Sequence, residues 1–103
     1  MEKIGRPKKE RKIQKKPRTL TFSPRGRPGR PEEIELSIDE YEAIRLGDLE
    51  GLDQSAGAEI LGVSRPTFGR LLRAARGKIA NALINGKIIK INDSNTPVKY
   101  MYS

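Results

Sequence analysis

Ser64, Arg65, Pro66, Thr67, Gly69, Arg70, Arg73, Arg76 and Lys78 fall within fifteen residues, and no acid lies among them. Two hydroxyls, four guanidiniums and one ammonium so close together suit the recognition of a polyanion. A guanidinium fork can grip guanine O6 and N7 or a phosphate with two parallel hydrogen bonds. Hydroxyls and free N–H groups at a helix start commonly meet phosphate. On a helical wheel Pro66, Gly69, Arg70, Arg73 and Gly77 lie opposite an apolar stripe of Phe68, Leu72 and Ile79. Arg70 is the first candidate for a guanine contact and Arg65 the second. Arg73, Arg76 and Lys78 suit phosphates. Gly69 would let a groove wall come close. The plainer reading of the same residues is a solvated basic helix face.

The elements around this stretch favour the first reading. Ala58, Gly62, Phe68 and Leu71 have the spacing of a helix-turn-helix. A small residue allows close packing, a glycine makes the turn, and two large apolar residues hold the second helix down. Ser37 and Glu40 form a capping box for a first helix over 38–49. Asp53 caps a second helix that ends at Gly62. Ser64 caps a third over 64–85, with Pro66 in its first turn and Gly86 as its stop. The runs EEIEL at 32–36 and KIIKI at 87–91 predict short strands that pair with each other. Residues 19–22 could form another.

Composition narrows the function further. The net charge is +8, distributed as +10 over residues 1–31, −9 over 32–63 and +7 over 64–103. The acidic block would repel a phosphate backbone and is expected to face away from it. Cysteine and histidine are both absent, which excludes thiolate zinc sites, disulfides and cysteine or histidine catalysis. Asp39, Glu40 and Glu42 look like helix-start acids favoured by the dipole, not a metal or acid–base pair. We expect no enzyme activity, no cofactor and no metal. The chain shows no signal peptide and no apolar run long enough for a membrane span, so it reads as cytoplasmic.

Residues 1–18 are too basic and too poor in apolar side chains to offset the entropy of ordering, and read as a disordered tail. Residues 19–31 read as an extended arm. Within it Pro24-Arg25-Gly26-Arg27-Pro28 resembles the core of an AT-hook, with Arg30 beyond it. Arg25, Gly26, Arg27 and Arg30 are candidates for minor-groove or phosphate contacts. Gly5-Arg6-Pro7-Lys8-Lys9 is a weaker echo. Residues 32–92 make the folded domain and 93–103 a flexible tail.

DEYEAIRLGDLEGLDQ (39–54), GVSRPTFGRLL (62–72) and ALINGKIIKI (82–91) together resemble a family of small prokaryotic proteins of unknown function described as predicted DNA-binding. Their helix-turn-helix is similar to the promoter-reading one of bacterial sigma factors. The resemblance runs from about residue 18 to residue 92. It implies transcription-linked DNA binding through Ser64, Arg65, Pro66, Thr67, Phe68, Gly69 and Arg70. Two departures stand out: Glu10 where the family often has cysteine, and Gly57-Ala58 where it has paired alanines.

The expected fold is therefore mainly α, a tri-helical helix-turn-helix domain with one or two short strands and a disordered basic arm. The expected activity is sequence-specific binding of double-stranded DNA in transcriptional regulation, at the nucleoid. A homodimer would extend the short site one helix reads, and RNA polymerase is a further candidate partner. The alternatives are a module that docks on the transcription machinery through the acidic first helix, or a non-specific nucleic-acid chaperone.

Overall fold

Each helix begins at a cap that the sequence supplies. In the computed structural model, which describes residues 10–94 and 96–101, the Ser37 side chain accepts from the Glu40 N–H, and the Glu40 carboxylate accepts from the Ser37 N–H at 2.9 Å. This opens α1 (Ile38–Ile44). Asp53 accepts from the Ala56 N–H at 2.8 Å and opens α2 (Gln54–Leu61). Ser64 accepts from the Thr67 N–H at 3.2 Å and opens α3 (Arg65–Asn85). Each cap satisfies an N–H that the helix leaves without a partner. Gly62 and Gly86 end α2 and α3 in the left-handed conformation, at φ +83° and +64°. Caps and stops thus fall at the residues whose types predicted them.

The first helix is shorter than the expected span of 38–49. After Ile44 the chain widens into a π turn, Arg45–Leu49, closed by the Glu50 N–H donating to the Arg45 carbonyl at 2.9 Å. Gly47 sits on this turn. A methyl there would stand 3.2 Å from Leu72 Cδ2, so the missing side chain lets the turn lie close on α3.

The mainly α, tri-helical expectation is corrected by the strands. Five are present among the described residues: β1 (Arg11–Ile13), β2 (Thr21–Phe22), β3 (Glu33–Ser37), β4 (Ile88–Asn92) and β5 (Val98–Tyr100). They form two sheets beside the helices, ordered β2-β4-β3 and β1-β5. The predicted pairing of β3 with β4 is present. It is parallel, with Ile34 opposite Ile89 and Leu36 opposite Ile91. β2 adds to the other edge of β4, antiparallel.

The second sheet is the larger surprise. β1 and β5 come from segments read as tails, and they pair in parallel, Arg11 with Val98 and Ile13 with Tyr100. Ile13 is wholly buried and Arg11 is nearly so. The disordered-arm expectation therefore fails for residues 11–13. Charge density argued for disorder, but Arg11 has its counter-ion on a distant element: its Nε donates to Asp39 Oδ2 at 3.1 Å. The Gly5–Lys9 echo and the rest of residues 1–9 lie outside the described residues.

One core joins these parts. Phe68, Leu72 and Ala75 of α3 meet Ala43 and Leu46 near the end of α1, Ala58 and Leu61 of α2, and Ile13, Leu36 and Ile91 from the strands. Phe68, Leu61, Leu46 and Ile38 are almost fully shielded from water. The third helix is thereby fixed along its first half.

Candidate nucleic-acid interface

Gly62 turns the chain, and two residues later Ser64 caps α3. The Gly62 and Val63 N–H groups both return to the Ala58 carbonyl, at 2.9 and 3.0 Å, so α2 and α3 are joined by a short, hydrogen-bonded turn. Phe68 then anchors α3. Its ring lies over Gly57, where a methyl would be 2.4 Å from Cζ. The close approach of α2 and α3 that Ala58 predicted is thus shared with Gly57.

Three of the candidate residues form one chain at the exposed start of α3. Ser64 Oγ donates to Thr67 Oγ1 at 2.9 Å, and Arg70 Nη2 donates to the same oxygen at 3.1 Å. The Arg70 guanidinium is therefore oriented before any ligand arrives, which lowers the entropy of fixing it. Arg65, Pro66, Arg70 and Arg73 are exposed. The three arginines form no ion pair among the described residues. The geometry brings together hydroxyls, a helix N-terminus and three guanidiniums on one open surface. Such a surface can bind phosphate and present a fork to a base edge.

Other candidates are placed differently. Gly69 faces α2, and a methyl on it would stand 3.1 Å from Gln54 Oε1. Its room is taken by Gln54, a residue the wheel could not relate to α3. Arg76 and Lys78 are engaged within the fold. Arg76 donates to Asp48 at 2.7 and 3.0 Å, and Lys78 Nζ to Glu40 at 2.7 Å. The acids of the first helix and its π turn thus neutralise the middle of α3. The free basic surface contracts to Arg65, Arg70 and Arg73.

The Arg76 hydrogen bond holds the Asp48 carboxyl below its ordinary pKa, and the same bond raises Arg76. A carboxyl lowered on folding stabilises above its unfolded pKa of about 4, and that stability is lost as pH falls through the folded value. Arg76→Ala is therefore expected to lower stability slightly near neutrality and to converge on wild type in acid. Urea midpoints on both sides of about pH 4 check this. Both groups are well exposed, so the effect is small.

The acids of the first helix are not an open acidic face. Asp39, Glu40 and Glu42 are buried. Glu42 takes two bonds from Arg45, at 2.9 and 2.7 Å, and one from the Gln14 N–H at 3.0 Å. The Glu42 hydrogen bond leads in holding Arg45 above its ordinary pKa, against the opposing pull of burial.

The arm lies at the other end of α3. Gly26 adopts φ +83° in a turn, and Arg27 reaches Gly86, where a methyl would be 2.5 Å from its Nη1. A cation is favoured there by the negative end of the helix dipole. Arg30, Lys87 and Asn85 border the same shallow depression, and Lys87 pairs with Glu32 at 3.0 Å. Arg25 and Arg30 are exposed. Twenty-one residues of helix span roughly 30 Å, so the arm and the Ser64–Arg70 cluster are not one site.

Among the described residues, no helix is long and apolar enough to cross a membrane, and no group of three or more acidic residues could hold a metal ion.

The surroundings of α3 have close counterparts in other proteins. The chain is 46% identical over 93 residues to a UPF0251 protein of Desulforudis audaxviator, covering 89% of this chain and 61% of that one. It is 50% identical over 88 residues to a UPF0251 protein of Prosthecochloris aestuarii, covering 84% and 57%. A third, from Caldanaerobacter subterraneus subsp. tengcongensis, is 48% identical over 96 residues, covering 92% and 81%. The chain thus spans about three fifths of the length of the first two relatives. No solved structure matches it significantly. Residues 1–97 match the family described as "Protein of unknown function DUF134". That match takes in α2, its turn, α3 and the buried β1 segment alike, and the chain belongs to this family.

Proposed function

We propose that this protein binds double-stranded DNA and reads sequence in the major groove with the first half of α3, as a regulator of transcription at the nucleoid. The observation that carries the reading is the Ser64–Thr67–Arg70 hydrogen-bonded chain on an open helix start, beside the exposed Arg65 and Arg73, which form no ion pair among the described residues. The α2–turn–α3 pair supports it, because recognition helices dock through their N-terminal residues. Arg70 reads a guanine, Arg65 assists, and Ser64, Thr67 and Arg73 hold phosphates. Arg25 and Arg30 would meet the backbone about one helical turn away, given a B-DNA repeat of about 34 Å. The burial of Asp39, Glu40 and Glu42 weighs against docking through an acidic first helix.

Selection of bound duplexes from a random pool, at fixed salt, tests the reading. One preferred sequence is expected. Arg70→Ala should cost about 1–3 kcal/mol on that sequence, roughly 5- to 150-fold, and relax preference at one base pair. A pool that yields no preferred duplex would sink the reading.

A further inference from the structure

The β1–β5 ribbon sets two lysines side by side next to the turn that precedes α3. Lys12 stands opposite Lys99 in the parallel register, and both are exposed. Paired residues of neighbouring strands lie on one face, with the strands about 4.8 Å apart. Arg11 and Ile13 alternate to the opposite face and are buried. Like charges directly opposite each other destabilise a sheet. Neither lysine forms an ion pair among the described residues.

The position of the pair matters as much as its charge. The Lys12 stem runs over Gly62, where a methyl would be 3.3 Å from Cγ and 3.4 Å from Cδ. A long stem laid on apolar surface sends its ammonium on into water. Ser64, the cap of α3, is two residues further along the chain. The ribbon is also held firmly. Arg11 is paired with Asp39, and its N–H donates to the Pro97 carbonyl at 2.8 Å. The Gln14 N–H donates to buried Glu42.

We propose that this ribbon is a second DNA-contacting element, a wing on which Lys12 and Lys99 hold backbone phosphates flanking the groove that α3 enters. The inference rests on the duplex-DNA reading above. A phosphate beside each ammonium relieves the repulsion built into the ladder. Lysine acts on phosphate as a point charge, so the wing adds affinity without sequence preference.

The experiment compares wild type, K12Q/K99Q, K12R/K99R and Arg70→Ala on the selected duplex and on a scrambled one, between about 50 and 200 mM salt. K12Q/K99Q is expected to reduce the slope of log K against log salt by about 1.8, at roughly 0.9 for each phosphate that is no longer neutralised. It should weaken both duplexes equally and leave preference intact. K12R/K99R should restore the slope. The melting temperature of K12Q/K99Q should be no lower than wild type, since a like-charge pair is removed. An unchanged slope in K12Q/K99Q overturns the wing, while the Arg70 result stands independently. Loss of preference at unchanged slope also overturns it. If wild type prefers no duplex and Arg70→Ala is silent, the failure is that of the α3 reading. The slope of K12Q/K99Q then still decides whether the ribbon holds phosphate.

Discussion

Arg45→Met is expected to destabilise the fold by about 3–5 kcal/mol. Arg45 grips Glu42 with two bonds, donates to Gln14 Oε1 at 2.7 Å and pairs with Glu50 at 3.2 Å. Glu42 has no exposed surface at all. With Arg45 gone, its carboxylate keeps the Gln14 N–H but no cation among the described residues, and a buried charge without its partner costs far more than the pair itself contributes. The double variant Glu42→Leu with Arg45→Met should recover most of the loss, because an apolar pair of similar volume carries no desolvation penalty. Urea denaturation reads both. A single variant within about 0.5 kcal/mol of wild type would show that the network is not structural. The effect should also reach the ribbon. Gln14 follows β1 directly and is held from both sides by this network, so amide exchange at residues 12–14 should rise in Arg45→Met while α3 amides change less.

That coupling explains what could and could not be read in the sequence. The helix starts at Ser37, Asp53 and Ser64 and the stops at Gly62 and Gly86 were legible because each depends on residues within one turn. The β3–β4 pairing was legible because two short apolar runs each needed a partner. The β1–β5 ribbon was not. Three-residue strands are too short for alternation to register, and RKI looks like any basic tail until Asp39 and Glu42 are seen to lie across from it. A small domain thereby gains a second sheet, and the fold is not the mainly α bundle its helices suggested.

The candidate site shows the same division. Ser64, Thr67 and Arg70 meet because i and i+3 share a helix face. Arg76 and Lys78 are expected from the sequence to meet phosphates, yet both are engaged within the fold. Their partners Asp48 and Glu40 are 28 and 38 residues away, a distance across which periodicity carries no information. The charge runs were correctly located, but the acidic run does not simply face away from the basic one. It neutralises part of it and leaves the rest at the helix start. Lys12 carried no signal of its own, since nothing local distinguishes it from the other lysines of its segment.

The second large effect is expected at Phe68. Its ring is wholly buried and is the contact through which α3 is seated on α2 and on the π turn. Phe68→Ala should cost about 3–5 kcal/mol, the transfer free energy of the ring plus the cavity it leaves. Phe68→Leu should cost less, since part of the volume is kept. Gly57 provides an internal control. A methyl on Gly57 collides with the ring at 2.4 Å, and its three nearest neighbours are all ring atoms, so Phe68→Ala removes the main clash. It also removes a helix glycine, worth about 1 kcal/mol relative to Ala. Gly57→Ala is therefore expected to destabilise wild type and to be tolerated better, or to stabilise, in the Phe68→Ala background. That is a coupling between neighbours, which a double-mutant cycle in urea measures directly. Simple additivity of the two changes would mean that the ring does not sit on α2 as described. The orientation of Arg70 would then lose its support, because the Ser64–Thr67–Arg70 chain faces solvent only if Phe68 holds the opposite face of the helix down.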